Sequence, residues 1–163
     1  MARTNATSYD QPAVVYHHRN WTRRVELSAL TTLASNPTPA DVIGLFKLPA
    51  GLAGCRPTRA RVCSSNANGN STSTTCDIAI LKESDDSVVA KLLEAASQDG
   101  LLDATDDAAS SGLDAGEPYA LVSGSTPVAD TEYYVGLVWV AAATNTYTAR
   151  NVVIEVEFTG TDD

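Results

Sequence analysis

The residues best able to do chemistry in this chain are few and poorly placed for it. His17 and His18 are its only histidines. Imidazole is the side chain that moves protons near neutral pH. Adjacent residues of an extended chain, however, point to opposite sides, so these two read as an exposed pair rather than a chelate. With no histidine beyond residue 18, a Ser-His-Asp or Cys-His arrangement could be built only from the N-terminal end. Cys55, Cys63 and Cys76 are odd in number and lack the close pairing of a zinc knuckle or dithiol motif, so they read as reduced thiols filling small apolar positions. The glycines are scattered, and none opens a helix after a strand at the spacing of a phosphate loop or dinucleotide fingerprint.

Carboxylates are abundant but equally unpromising. The densest group, Asp99, Asp103, Asp106, Asp107 and Asp114, lacks the alternating spacing that wraps a calcium ion, and reads as a solvated acidic loop. Glu155 and Glu157 share one face of a strand, about 7 Å apart by strand geometry. Beside Val153 on an outward face, they suit Arg59 and Arg61 as cross-strand partners better than they suit acid–base work. The sequons at Asn5, Asn20 and Asn70 are read as coincidence in an Asn- and Thr-rich chain. The expectation is therefore a protein that is not an enzyme, with no catalytic residue, cofactor or metal.

Composition bounds the remainder. The 163 residues suffice for one domain with a real core, and 44% apolar against 19% charged residues is the balance of a folded chain. No apolar run approaches the roughly 20 residues needed to cross a bilayer, so no membrane partner is expected. The polar start lacks the apolar stretch of a secretory leader, which predicts a product made in the cytoplasm. The net charge of −9 is unevenly spread. Up to Arg61 eight basic residues face three acids; beyond it three basic residues face seventeen acids. This asymmetry suits a basic arm against an acidic neighbour, or copies paired head to tail. An acidic body would repel phosphates, which argues against nucleic acid.

The elements that would carry any site are strands. Residues 1–22 show no periodicity and read as an extended arm with aromatic anchors Tyr9, Tyr16 and Trp21 and cations such as Arg19. The arm should order by lying on its own domain or on a neighbouring subunit. From Arg23 and Arg24 the pattern has period two, placing Val25, Leu27 and Ala29 on one face. Further strands are expected over Val42–Leu48, ending at the turn signal Pro49-Ala50-Gly51, over Thr58–Cys63, and over Cys76–Leu81 after a polar loop, Ser64–Thr75. Ser87–Ala96 has apolar residues at 88, 89, 92, 93 and 96, a helical spacing with Ser87 as cap. Leu101–Glu117 reads as an acidic loop, with a short strand over Pro118–Val122 after it. Thr131–Ala142 carries Tyr133, Val135, Leu137 and Trp139 on one face and Tyr134, Val138 and Val140 on the other. Two apolar faces imply a central strand or one covered by another subunit. A turn at 143–146 then leads into Tyr147–Phe158. Seven or so short strands predict an all-β chain, a β-sandwich over residues 23–163 of jelly-roll type with one short helix and the N-terminal arm.

The order of these segments resembles the head decoration, or cement, proteins of tailed bacteriophages. The resemblance rests on Val25-Glu26-Leu27-Ser28-Ala29-Leu30, on Ala40-Asp41-Val42-Ile43 leading to Phe46-Lys47-Leu48-Pro49-Ala50-Gly51, on Cys76-Asp77-Ile78-Ala79-Ile80, and on a final hairpin from Ala129-Asp130-Thr131 to Val156-Glu157-Phe158. It covers most of residues 23–160; the arm and the long acidic loop lie outside it. It implies a clip at the junctions of capsid subunits on the virion surface, often a homotrimer, whose partner is the phage major capsid protein. Tyr9, Tyr16, Arg19, Trp21, Arg23, Arg24, Arg56, Arg59 and Arg61 are the expected capsid or subunit contacts. Two other classes remain: a carbohydrate-binding sandwich, with Tyr133, Tyr134, Trp139 and Tyr147 as a ring platform, and a head-fibre or tail component of the virion.

Overall fold

The computed structural model describes residues 2–11, 20–27, 38–52, 55–64, 76–93, 111–112, 120–121, 130–139 and 152–160. Its strands in chain order are β1 (Arg3–Asn5), β2 (Asn20–Leu27), β3 (Val42–Leu48), β4 (Cys55–Ser64), β5 (Cys76–Lys82), β6 (Val88–Leu93), β7 (Ser111–Gly112), β8 (Ala120–Leu121), β9 (Tyr133–Trp139) and β10 (Val152–Gly160). They form a six-stranded sheet in the order β1-β3-β9-β5-β6-β8 and a four-stranded sheet in the order β2-β10-β4-β7. The chain is an all-β sandwich.

The pairing is nested. β5 pairs with β6, β4 with β7, β3 with β9 and β2 with β10, all antiparallel. Two more antiparallel contacts, β9 with β5 and β10 with β4, knit these pairs into the two sheets. β1 is the exception: it lies parallel to β3 at the edge of the larger sheet.

Period-two patterning places the core. Val25 and Leu27 of β2, Ala60 of β4 and Ile154, Val156 and Phe158 of β10 face Ile43, Leu45, Phe46, Leu48, Ile78, Ile80, Val89, Leu92, Tyr133, Val135, Leu137 and Trp139 of the larger sheet. A second cluster covers the other side of that sheet: Tyr9, Val42, Ala79, Leu81, Tyr134 and Val138, with Val88 against it. The two faces expected for β9 are therefore both real. β9 is central, between β3 and β5, and all seven of its residues are buried within the single chain.

Three expectations are corrected. Val88–Leu93 is a strand, not the start of a helix. The β5–β6 ladder shifts register twice, leaving Leu92 and Val89 as the extra residues of two bulges. Each bulge resets the alternation, so residues three apart both reach the core and imitate a helical spacing. Ser87 is no helix cap; its amide donates to Asp85 Oδ1 at 3.0 Å in the β5–β6 turn. Among the described residues the only helical piece is a 3-10 turn at Ala50–Leu52, with Gly51 at φ 63° where the Pro-Ala-Gly signal stood. Finally, β9 and β10 belong to different sheets and form no hairpin. Ser64, expected to open the polar loop, ends β4, and residues 65–75, most of the acidic loop and the turn expected at 143–146 lie outside the described residues.

Candidate functional site

Residues 2–11 lie on their own domain, one of the two alternatives open to the arm. β1 enters beside β3 in the register Arg3↔Val42, Thr4↔Ile43, Asn5↔Gly44. The Val42 amide donates to the Ala2 carbonyl at 2.9 Å and the Ala6 amide to the Gly44 carbonyl at 2.8 Å, satisfying the edge of β3. Asp41 fastens the start: its carboxylate accepts from the amides of Ala2 at 2.7 Å and Thr38 at 2.8 Å. Those amide bonds, Thr38 first, hold its carboxyl below the usual aspartate value. After β1 the chain turns at 7–10, and Ser8 Oγ donates to the Leu45 carbonyl at 2.7 Å.

This turn delivers Tyr9 onto the sheet. The ring occupies a notch above Gly44, where a Cβ would lie 2.6 Å from Tyr9 Cε2. Gly136, the partner of Gly44 across the β3–β9 ladder, is less confined, its virtual Cβ 3.0 Å from Leu81 Cδ1 and 3.1 Å from the Ile43 carbonyl oxygen. At Gly44 a side chain would have to displace Tyr9 or Asn5, whereas at Gly136 its neighbours would have to give by a few tenths of an ångström. Tyr9 meets Tyr134 edge-on, with ring centroids 5.5 Å apart at 73°.

The charged part of the site comes from the β5–β6 turn. Arg3 Nη1 donates to Asp86 Oδ1 at 2.7 Å and to Glu83 Oε2 at 3.4 Å. The guanidinium carbon lies 5.6 Å from the Tyr9 centroid and 5.2 Å from that of Tyr134, within cation–π range. The Tyr9 hydroxyl donates to Glu83 Oε2, and the Tyr134 hydroxyl to Asp86 Oδ1 at 2.7 Å. Burial, then these carboxylate acceptors, push both phenols well above the ordinary tyrosine range. Asp86 reaches the site from a left-handed backbone, φ 57°. Aspartate tolerates that region better than most residues. Chemically the cluster holds rather than reacts: two carboxylates accept from one guanidinium and two phenols, and so pin residues 3 and 9 to the body. Among the described residues no three His, Cys, Asp or Glu side chains gather as a metal-binding group.

The expected contact residues divide. Tyr9 is 2% exposed and belongs to its own chain's packing, so it is not available to a partner in this state. Tyr16 and Arg19 lie outside the described residues. Trp21 is half-buried and stacks on Phe158, with centroids 4.3 Å apart and planes 15° from parallel. Arg23 shares the inward face of β2 with Trp21 and Val25; its guanidinium lies 5.9 Å from the Phe46 centroid and reaches Gln11 Oε1 at 3.4 Å. It closes one end of the core instead of projecting outward, as the period-two rule from Val25 back to Arg23 requires.

Arg24 is exposed on the outer face, 2.9 Å from Glu26 and 3.7 Å from Glu155. The register sets Glu155 between Arg24 and Arg61, Glu157 between Thr22 and Arg59, and Thr159 between Asn20 and Arg56. The cross-strand pairing of Glu155 and Glu157 with Arg61 and Arg59 is thus present in the backbone register, and Arg24, Arg56, Arg59 and Arg61 fall on neighbouring rows of one sheet.

The rings proposed as a carbohydrate platform do not form one. Tyr133, Tyr134 and Trp139 are all buried, and Tyr147 lies outside the described residues. Sequence reading missed Glu83, Asp86, Tyr134 and Gly44 as partners of the N-terminal segment. Glu83-Ser84-Asp85-Asp86 carries a turn signal of its own, which marks where the chain reverses but not what docks there.

No protein-family model matches the chain, and no curated protein is significantly similar in sequence. Among solved structures, a chain of the capsid of Ralstonia phage GP4 is similar with a TM-score of 0.59 at 13% identity, covering 99% of this chain and 100% of that one. A chain of the cyanophage Pam1 capsid asymmetric unit is similar with a TM-score of 0.54 at 14% identity, covering 91% and 89%. At such identities the likeness is one of fold, and it extends over nearly the whole length of each chain.

Proposed function

We propose that this chain is a structural protein of a phage virion that binds the outside of the capsid and stabilises it, as a decoration or cement protein. The observation that carries the reading is the fold match to chains of two phage capsids over nearly their full length. The nested pairing supports the jelly-roll form of that fold. Eight strands pair outermost with outermost and innermost with innermost, β2 with β10 down to β5 with β6, as a long antiparallel ribbon does when rolled into two sheets.

The partner in this reading is the phage major capsid protein, and the protein acts as a homo-oligomer, with a trimer favoured. The capsid contact is the outer face of β2, β10 and β4, where Arg24, Arg56, Arg59 and Arg61 share adjacent rows with Glu155 and Glu157. Tyr16 and Arg19, outside the described residues, are proposed as further contacts. A face carrying both signs of charge selects one register against a complementary shell surface. Repetition of a modest contact over many copies then gives firm attachment.

Co-sedimentation with capsids lacking the protein tests this directly. Saturable binding that weakens with salt and on Arg24→Glu with Arg59→Glu is expected. Absence of binding to capsids, together with incorporation into tails or head fibres, would move the protein elsewhere in the virion.

A further inference from the structure

We propose that the socket holding the N-terminal segment also takes residues 2–11 of a second copy of this chain, so that copies are joined by exchanged β1 strands. The segment is bound as a ligand would be. It adds a three-residue strand to a sheet edge, places one ring in a notch over Gly44 and one guanidinium between Glu83 and Asp86. Edge addition with side-chain pockets is a recurring mode of peptide recognition. None of these contacts depends on which copy the segment comes from.

Chain length permits the exchange. Nine residue steps from Gln11 to Asn20 can span about 30 Å. The path that closes this gap within one chain is shorter. Asn20 to Arg23 is three steps of strand, about 10 Å, and one arginine side chain with a 3.5 Å contact to the Gln11 carbonyl completes the path. The connection is therefore longer than its own chain requires, and that slack permits the segment to leave for another copy. Because the contacts are the same in either arrangement, the choice falls to the connection and to the local concentration of copies. A crowded capsid surface favours exchange; that point alone rests on the proposed virion role.

Complementation between full-length chains tests the inference. One copy carries Arg3→Ala, which spoils the segment; the other carries Glu83→Gln with Asp86→Asn, which spoils the socket. Each alone should melt below wild type by on the order of 3 °C. Co-expressed with different affinity tags and purified through both, the mixed oligomer should show a second transition at the wild-type temperature, because an intact segment then meets an intact socket. Arg3→Gln replaces Arg3→Ala if the latter fails to fold. Three results would overturn the proposal: no doubly tagged species, a mixed species that melts like the single variants, or single variants that melt like wild type. Capsid binding of the wild-type protein is a separate measurement, so the failure of either reading leaves the other standing.

Discussion

Substituting Gly44 by alanine should destabilise the protein only when Tyr9 is present. A Cβ at position 44 would lie 2.6 and 2.7 Å from Tyr9 Cε2 and Cδ2, and 2.7 Å from Asn5 Oδ1. Asn5 is exposed and its side chain can swing away. Tyr9 cannot do so cheaply: it is buried, hydrogen-bonded to Glu83 and packed edge-on against Tyr134. Overfilling such a site costs about 1–3 kcal/mol, while alanine in place of glycine returns about 0.5–1 kcal/mol of backbone entropy. The net loss in the wild-type background is about 0–2.5 kcal/mol. In a Tyr9→Ala background the obstacle is gone, and Gly44→Ala should stabilise by about 0.5–1 kcal/mol. The four proteins form a double-mutant cycle with a coupling of about 1–3 kcal/mol. Urea unfolding at constant m-value reads it. If Gly44→Ala were equally destabilising in both backgrounds, the notch would not be what holds Tyr9, and the account of the N-terminal segment would fail.

Other consequences are as direct. Asp86→Ala should cost about 1 kcal/mol more than Asp86→Asn in urea unfolding, because asparagine tolerates the left-handed backbone at φ 57° and alanine does not; equal losses would show that only the charge matters. The buried phenols set an alkaline limit. Their folded pKa values are raised above the ordinary 10.0, so their contribution is full below that pH and is lost as pH rises through the higher folded values. Unfolding midpoints should therefore fall as pH rises above about 10, and fall less steeply in a Tyr9→Phe/Tyr134→Phe variant; parallel slopes would contradict this. Lys91→Met should cost about 1–3 kcal/mol, since Lys91 Nζ sits 3.1 Å from the carboxylate of Asp77, whose side chain is only 8% exposed. Thermal or urea unfolding checks it, and a loss below about 0.5 kcal/mol would mean the pair behaves as a surface contact.

The sequence by itself determined the fold class and most of the strands, because period two is a local property and survives whatever the strand packs against. Val25 and Leu27, Ile154 to Phe158, and the two faces of β9 were legible for that reason. So was the pairing of acidic rows with basic ones in β10 and β4, although which row meets which needed the register. Three things were decided only by tertiary structure. The bulges of β6 are made by its ladder with β5, and in one dimension they look like a helix. The separation of β9 and β10 into different sheets follows from the pairing of β10 with β2, a contact between the two ends of the chain. The partners of Arg3 and Tyr9 lie some 80 and 74 residues away, in a turn that announces a change of direction but not what will dock on it. Local pattern tells each residue which side to face; only the closed sandwich brings residue 3 to residue 86.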